Sequence, residues 1–171
     1  MKIAVQDANV LIDLELAGLF DLWFQIGIET HTTNLIRLEL EKGRHDQALA
    51  YFGSGQVREH GLSFDELIEV GRLEQEVGSK ARFNDCSVLF LARKLNARLL
   101  SCDKALRQAA QARQIEVHGT LWIMDQLVDR KVMAPAIAAA KLEHLLSLGR
   151  FLPKVECQAR LKKWKEATGS D

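Results

Sequence analysis

Short apolar runs alternate with helical stretches through the first two thirds of the chain, and that alternation admits few folds. A strand, a helix and then another strand of the same sheet require a crossover, so the strands lie parallel. Lys2 to Gln6 reads as a first strand. A helix follows from about Ala8, with Val10, Leu11, Leu14 and the run Leu16 to Phe20 as its apolar content. Ile28 to Thr33 is rich in β-branched residues and predicts a second strand. Asn34 to Lys42 predicts a helix stopped by Gly43, and Arg44 to Phe52 a further short one. A weaker strand centres on Gln56-Val57-Arg58, and Phe64 to Val77 is helical. Asn84 to Asn96 reads as an amphipathic helix with Val88, Leu89, Leu91, Ala92 and Leu95 on its buried side. Arg98 to Cys102 predicts a strand, Lys104 to Arg113 a helix, and Ile115 to His118 the last strand.

Beyond His118 the strand signals stop. Thr120 to Arg130, Pro135 to Leu148 and Lys154 to Ala167 read as three helices, the last strongly basic. The expected organisation is an α/β portion over residues 1–118, with residues 119–171 as a helical C-terminal extension of the same domain. Gly149 and Pro153 mark the one joint in that extension. Internal repeats and low-complexity segments are absent.

Composition narrows the class. An apolar fraction of 47% with 27% charged residues calls for a packed core under a solvated surface. The 23 basic and 23 acidic residues cancel, which counts against non-specific binding to nucleic acid through a uniformly basic surface. A nuclease still fits, because acids within its site and bases around it offset each other. Cys86, Cys102 and Cys157 show no paired spacing, so a reduced, cytoplasmic protein is expected. No apolar stretch is long enough to span a bilayer, and the chain enters its first strand without a basic leader.

The acids carry the chemistry. Asp7 directly follows the first strand and Asp103 the fourth, so a parallel sheet sets both at its carboxyl edge. Open α/β sheets bind ligands there, where strand order reverses. Asp85 opens a helix and can point to that edge, and Glu39 lies on the helix after the second strand. Singly, each has an ordinary role: an Asp at a helix start caps backbone N–H groups, and a helical Glu faces solvent. Jointly, they need a cation. Two carboxylates about 4 Å apart repel by roughly 4 kcal/mol at an effective dielectric of 20. Oxygen ligands without His or Cys favour Mg²⁺ or Mn²⁺ over zinc. Such an ion activates water and stabilises charge developing on a phosphodiester.

These segments resemble the PIN-domain nucleases, a family that includes the toxins of many bacterial toxin–antitoxin pairs. The resemblance rests on Asp7-Ala8-Asn9-Val10-Leu11-Ile12, on Glu39-Leu40-Glu41-Lys42-Gly43, on Asn84-Asp85-Cys86-Ser87-Val88-Leu89 before Leu91-Ala92, and on Leu99-Leu100-Ser101-Cys102-Asp103 before Leu106. Each piece is short; their order and spacing across Met1 to His118 make the match specific. The resemblance implies a three-layer α/β/α sandwich with strand order 3-2-1-4-5. It implies Asp7, Glu39, Asp85 and Asp103 as metal ligands for Mg²⁺ or Mn²⁺, and RNA as substrate. An antitoxin protein and a homodimer are the partners it brings with it. Asn9 stands where many toxin members carry a hydroxyl residue, and it can hydrogen-bond a ligand carboxylate or a metal-bound water. Ser101 matches the family's hydroxyl beside the last acid. The helices from Gly119-Thr120-Leu121 onward exceed the compact toxin pattern and resemble a longer subgroup.

Other readings meet obstacles in particular residues. Glu41 faces another side of its helix from Glu39. His31, His45, His60, His118 and His144 lack metal-ligand spacing. Cys86 and Cys102 suit small apolar filling. Trp23, Trp122 and Trp164 suit core or interface positions. The run Arg160, Lys162, Lys163 and Lys165 suits a solvated helix face. A haloacid-type phosphotransferase wants a second acid where Asn9 stands, and a receiver domain wants paired acids and a placed lysine that this chain lacks. A non-catalytic PIN-like module binding RNA or protein is the alternative to the nuclease.

Overall fold

The structure is a computed structural model describing residues 2–78 and 81–168. Its sheet contains β1 (Ile3–Gln6), β2 (Glu29–Thr33), β3 (Val57–His60), β4 (Arg98–Leu100) and β5 (Val117–His118). The strands pair in parallel in the order β3-β2-β1-β4-β5. The first three therefore step one way across the sheet, and β4 and β5 step the other way from β1. The reversal falls between β1 and β4, where Gln6 pairs with Leu100. Central strands are buried along nearly their whole length, as in parallel sheets covered on both faces. Edge strand β3 buries Val57 but exposes Arg58 and Glu59, which explains its weak apolar signal.

The helices are α1 (Ala8–Leu16), α2 (Phe20–Gln25), α3 (Asn34–Gly43), α4 (Asp46–Gly53), α5 (Phe64–Val77), α6 (Phe83–Lys94), α7 (Lys104–Ala112), α8 (Thr120–Asp129), α9 (Pro135–Ser147) and α10 (Lys154–Thr168). α1 packs with α3, α4 and α8, whereas α5, α6 and α7 pack on one another, so the sheet lies between two helical groups. The three-layer α/β/α arrangement and the strand order are as the motifs implied. α9 and α10 pack on each other, and α9 joins α8. One apolar core runs through the whole, from Val5 and Leu99 in the sheet to Met124, Leu142 and Trp164 in the extension.

Three departures from the sequence reading go beyond a residue or two at element ends or change how a segment is capped or covered. The stretch from Ala8 to Phe20 is two helices, not one, because Gly18 adopts φ 59° and turns the chain. α3 ends through Arg44, which takes the left-handed conformation at φ 58°, and not through Gly43. Gly43 serves a close approach: a Cβ there would come within 2.7 Å of the His45 ring. α6 is not one-sidedly amphipathic. Residues 85–92 are all buried, since α5 and α7 cover the faces that the sheet leaves open.

Candidate active site

Strand ends and helix starts meet at the reversal point, and three of the four acids occupy helix starts there. Asp7 caps α1, its Oδ1 accepting the Val10 N–H at 2.8 Å. Asp103 caps α7, its Oδ1 accepting the Leu106 N–H at 2.7 Å. Asp85, in the first turn of α6, accepts the Arg82 N–H through Oδ2 at 3.2 Å. The ordinary capping role of each is thus real. Capping uses one oxygen of a carboxylate, however. Asp85 Oδ1 and Asp103 Oδ2 receive no hydrogen bond among the described residues.

Ser101 ties the two strand ends together. Its hydroxyl donates to Asp7 Oδ2 and accepts the Asp103 N–H at 3.1 Å. The Asp7 N–H donates to the Leu100 carbonyl at 3.1 Å, continuing the ladder to the first acid. Asp7 is 1% exposed, and burial pushes its carboxyl up to about 7, outweighing the bonds from Ser101 and Val10. The charges of Asp85 and Asp13 push the same way. Burial likewise raises Asp85. The Arg82 backbone and guanidinium oppose that rise, and Asp103 and Glu39 add to it. Asp85 therefore senses all three other acids.

Glu39, on α3, accepts from Asn84 Nδ2 at 3.3 Å and lies 3.9 Å from the Arg82 guanidinium. Arg82 also reaches Asp85 at 3.6 Å while remaining largely exposed, so it is a cation at the rim of the acidic site. Glu41 pairs instead with Arg37, one turn earlier on its own helix, which leaves Glu39 as the residue that faces the site. No three His, Cys, Asp or Glu side chains among the described residues close around a single point. The donor set is nevertheless of the kind a hard divalent cation takes. It consists of carboxylate oxygens, two with a lone oxygen, one held in a buried place where negative charge is costly.

Asn9 does not turn to these acids. Its backbone carbonyl and Oδ1 accept from Arg150 Nη2 at 3.3 and 3.4 Å. Arg150 Nε donates to Asp13 at 2.5 Å, and Thr120 Oγ1 donates to the other Asp13 oxygen at 2.6 Å. Asp13 is buried, and burial raises its carboxyl despite both partners. Sequence reasoning missed Arg82, Asp13, Thr120 and Arg150. Asp13 left a signal, an acid three residues after Val10 on the apolar face of a helix. Arg150 left none, lying 137 residues from its partner. Cys102 lines the floor beside Thr120, its thiol pushed up to about 11 by burial, and so acts as inert filling.

A family model described as a PIN domain matches residues 3–166. No curated protein matches the chain. Among solved structures, PAE2754 from Pyrobaculum aerophilum aligns over 74% of this chain and 89% of its own, with a TM-score of 0.56 and 19% identity. At that identity the likeness is one of fold.

Proposed function

From the premise that this chain belongs to the PIN-domain family, we propose that it is a metal-dependent endoribonuclease hydrolysing RNA phosphodiester bonds. The observation that carries the reading is the link Asp7–Ser101–Asp103 across the reversal point, with Asp85 and Glu39 electrostatically coupled beside it. A role that only binds RNA gives no reason to bury Asp7 among other acids. Asp7, Glu39, Asp85 and Asp103 would hold Mg²⁺ or Mn²⁺. When bound, the ion supplies Lewis acidity toward the phosphate and a water of lowered pKa.

The protein groups have separate tasks. Ser101 fixes the spacing of Asp7 and Asp103 by bonding to both, one as donor and one as acceptor. The helix starts at α1 and α7 add backbone N–H groups and positive dipole ends to an anion-binding edge. Arg82 neutralises Glu39 and Asp85 at the rim and is placed to meet a phosphate oxygen. Masking of this activity by an antitoxin protein would make the chain a toxin; co-purification with a small acidic or helical partner tests that extension.

The experiment is an RNA cleavage assay with Mg²⁺ and with Mn²⁺, beside Asp7→Asn and Asp103→Asn. Cleavage that requires metal and falls by at least about a hundredfold in both variants supports the reading, since each loses an interaction of several kcal/mol with the cation. Metal binding without cleavage of single-stranded or structured RNA would move the chain to the binding-module alternative.

A further inference from the structure

Beside the carboxylates lies a second feature that the reaction itself leaves unused. A cleft of about 250 Å³ is lined by Asn9, Asp13, Asp103, Lys104, Arg150 and Phe151. It shares Asp103 with the acidic site and extends from there to the loop between α9 and α10. That volume is below the roughly 300 Å³ of drug-sized pockets, and suits a flat fragment such as one nucleobase.

Phe151 is 96% exposed, yet its neighbours are anchored. Arg150 is held by Asp13 and Asn9, and its N–H donates to the Leu145 carbonyl at 3.2 Å. Leu152 is 8% exposed, donates its N–H to the Arg150 carbonyl at 3.0 Å, and precedes Pro153, which restricts its backbone. An aromatic ring in water on an immobilised backbone gains nothing for the fold, but it loses little entropy when a flat partner covers it. Lys104, exposed and without an ion pair among the described residues, supplies the charge that an RNA phosphate matches. Arg150, by contrast, is neutralised by the buried Asp13 and serves as an anchor.

We propose that this cleft holds the nucleotide adjoining the scissile phosphate of single-stranded RNA, its base stacked on Phe151 and its phosphate beside Lys104. The proposal rests on the ribonuclease reading and adds to it a base-binding subsite built by the C-terminal extension. A base in a duplex has both faces covered by its neighbours, so stacking on Phe151 selects unpaired RNA. The extension after His118 thereby contributes to substrate choice as well as to the core.

The test is the binding of a fluorescein-labelled single-stranded oligoribonucleotide, by anisotropy in chelator where the RNA stays intact, to wild type, Phe151→Ala, Phe151→Trp and Lys104→Ala, with cleavage in Mg²⁺ read separately on gels. Phe151 is so exposed that its removal leaves thermal stability unchanged. Phe151→Ala should weaken binding about tenfold, as loss of one stacked base predicts. Phe151→Trp should retain affinity, with its fluorescence quenched when unlabelled RNA is added. A duplex of the same sequence should be insensitive to either substitution. Lys104→Ala should weaken binding and reduce its salt dependence. Wild-type affinity in Phe151→Ala overturns the proposal while leaving cleavage, and the nuclease reading, intact; the exposed ring would then belong to a protein interface. Phe151-dependent binding without cleavage by wild type would remove the nuclease reading and overturn the placement beside a scissile phosphate, leaving the cleft as a base-binding site of the binding-module alternative. Absence of RNA binding by wild type removes both.

Discussion

At the scale of single residues, Asp7 gathers most of what is unusual. Its carboxyl is raised from 3.8 to about 7 because it is buried beside other acids. In the metal-free protein the folded state keeps the Asp7 proton where the unfolded chain has lost it. The contribution of Asp7 to stability is therefore whole below about pH 4 and is lost as pH rises through about 7, on the order of 4 kcal/mol in all. His31 and His60 shift downward, mainly through burial, and act with the opposite sign, losing stability as pH falls. A pH scan of wild type alone mixes the two. The difference between wild type and Asp7→Asn isolates the acid. With chelator at about pH 8, Asp7→Asn should melt higher than wild type by roughly 8–16 °C, and the gap should close toward about pH 4. Millimolar Mg²⁺ should raise wild type and not the variant. A metal-free wild type that melts with the variant at every pH would remove the electrostatic argument for a cation at Asp7. Asp7, Asp85 and Asp103 stand out in the sequence because each adjoins an element start, where periodicity changes; Glu39, in the middle of α3, stands out only through the family resemblance. Arg82 does not stand out, since an exposed Arg before a helix has no local mark of what its guanidinium meets.

Among the elements, strands and helices were legible where burial and period agree, and misread where packing overrode period. α5 matches its sequence bounds, Phe64 to Val77, because Ser63 and Glu66 form a reciprocal capping box. α6 looked one-sided because its buried side was read as Val88, Leu89, Leu91, Ala92 and Leu95 alone; tertiary contacts bury Asp85 and Ser87 as well. Polar partners make that possible, as when Ser87 Oγ donates to the Asn84 carbonyl at 2.6 Å and meets Thr33 Oγ1 at 2.8 Å. The same logic governs how α1 is joined to the loop after α9. Asp13 on α1 has a side chain only 3% exposed, and Arg150 neutralises it. Arg150→Ala should destabilise by about 3 kcal/mol, because a buried carboxylate is left with Thr120 alone. Arg150→Lys should recover only part, since a point charge does not reproduce the contacts of Nε with Asp13 and of Nη2 with Asn9. Asp13→Asn combined with Arg150→Ala should cost less than the two singly summed. Urea melts of the four proteins check this. Strict additivity would mean that the 2.5 Å contact carries no coupling.

For the whole molecule, the open point is what residues beyond His118 do, and sequence could show only that they are helical. Their reach into the α/β portion depends on contacts spanning more than a hundred residues: Thr120 to Asp13, Arg150 to Asn9, Arg130 to the Ile26 carbonyl. Such pairs leave no periodic trace. They are also what decides whether residues 1–118 are a unit. Ile123, Met124 and Leu127 of α8, Leu142 and Leu145 of α9, and Trp164 of α10 are each at most 1% exposed within the common core. Removing everything after His118 uncovers the apolar side of α1 and strands Asp13 without either partner. An apolar face opened to water costs roughly 25 cal/mol per Å², so a few hundred Å² equals the whole stability of an ordinary domain. A chain ending at His118 should therefore lack a cooperative melt, bind a hydrophobic dye, and lose near-ultraviolet dichroism while retaining helix. A milder cut at the same interface is Trp164→Ala, which should cost about 3–5 kcal/mol, as for other large buried aromatics. The truncation is the sharper of the two. If residues 1–118 melt cooperatively with unchanged metal response, the helices are an appended domain and Asp13 has found another partner. If they collapse without fixed packing, the extension is part of the fold, and the cleft wall it builds around Phe151 is as permanent as the sheet.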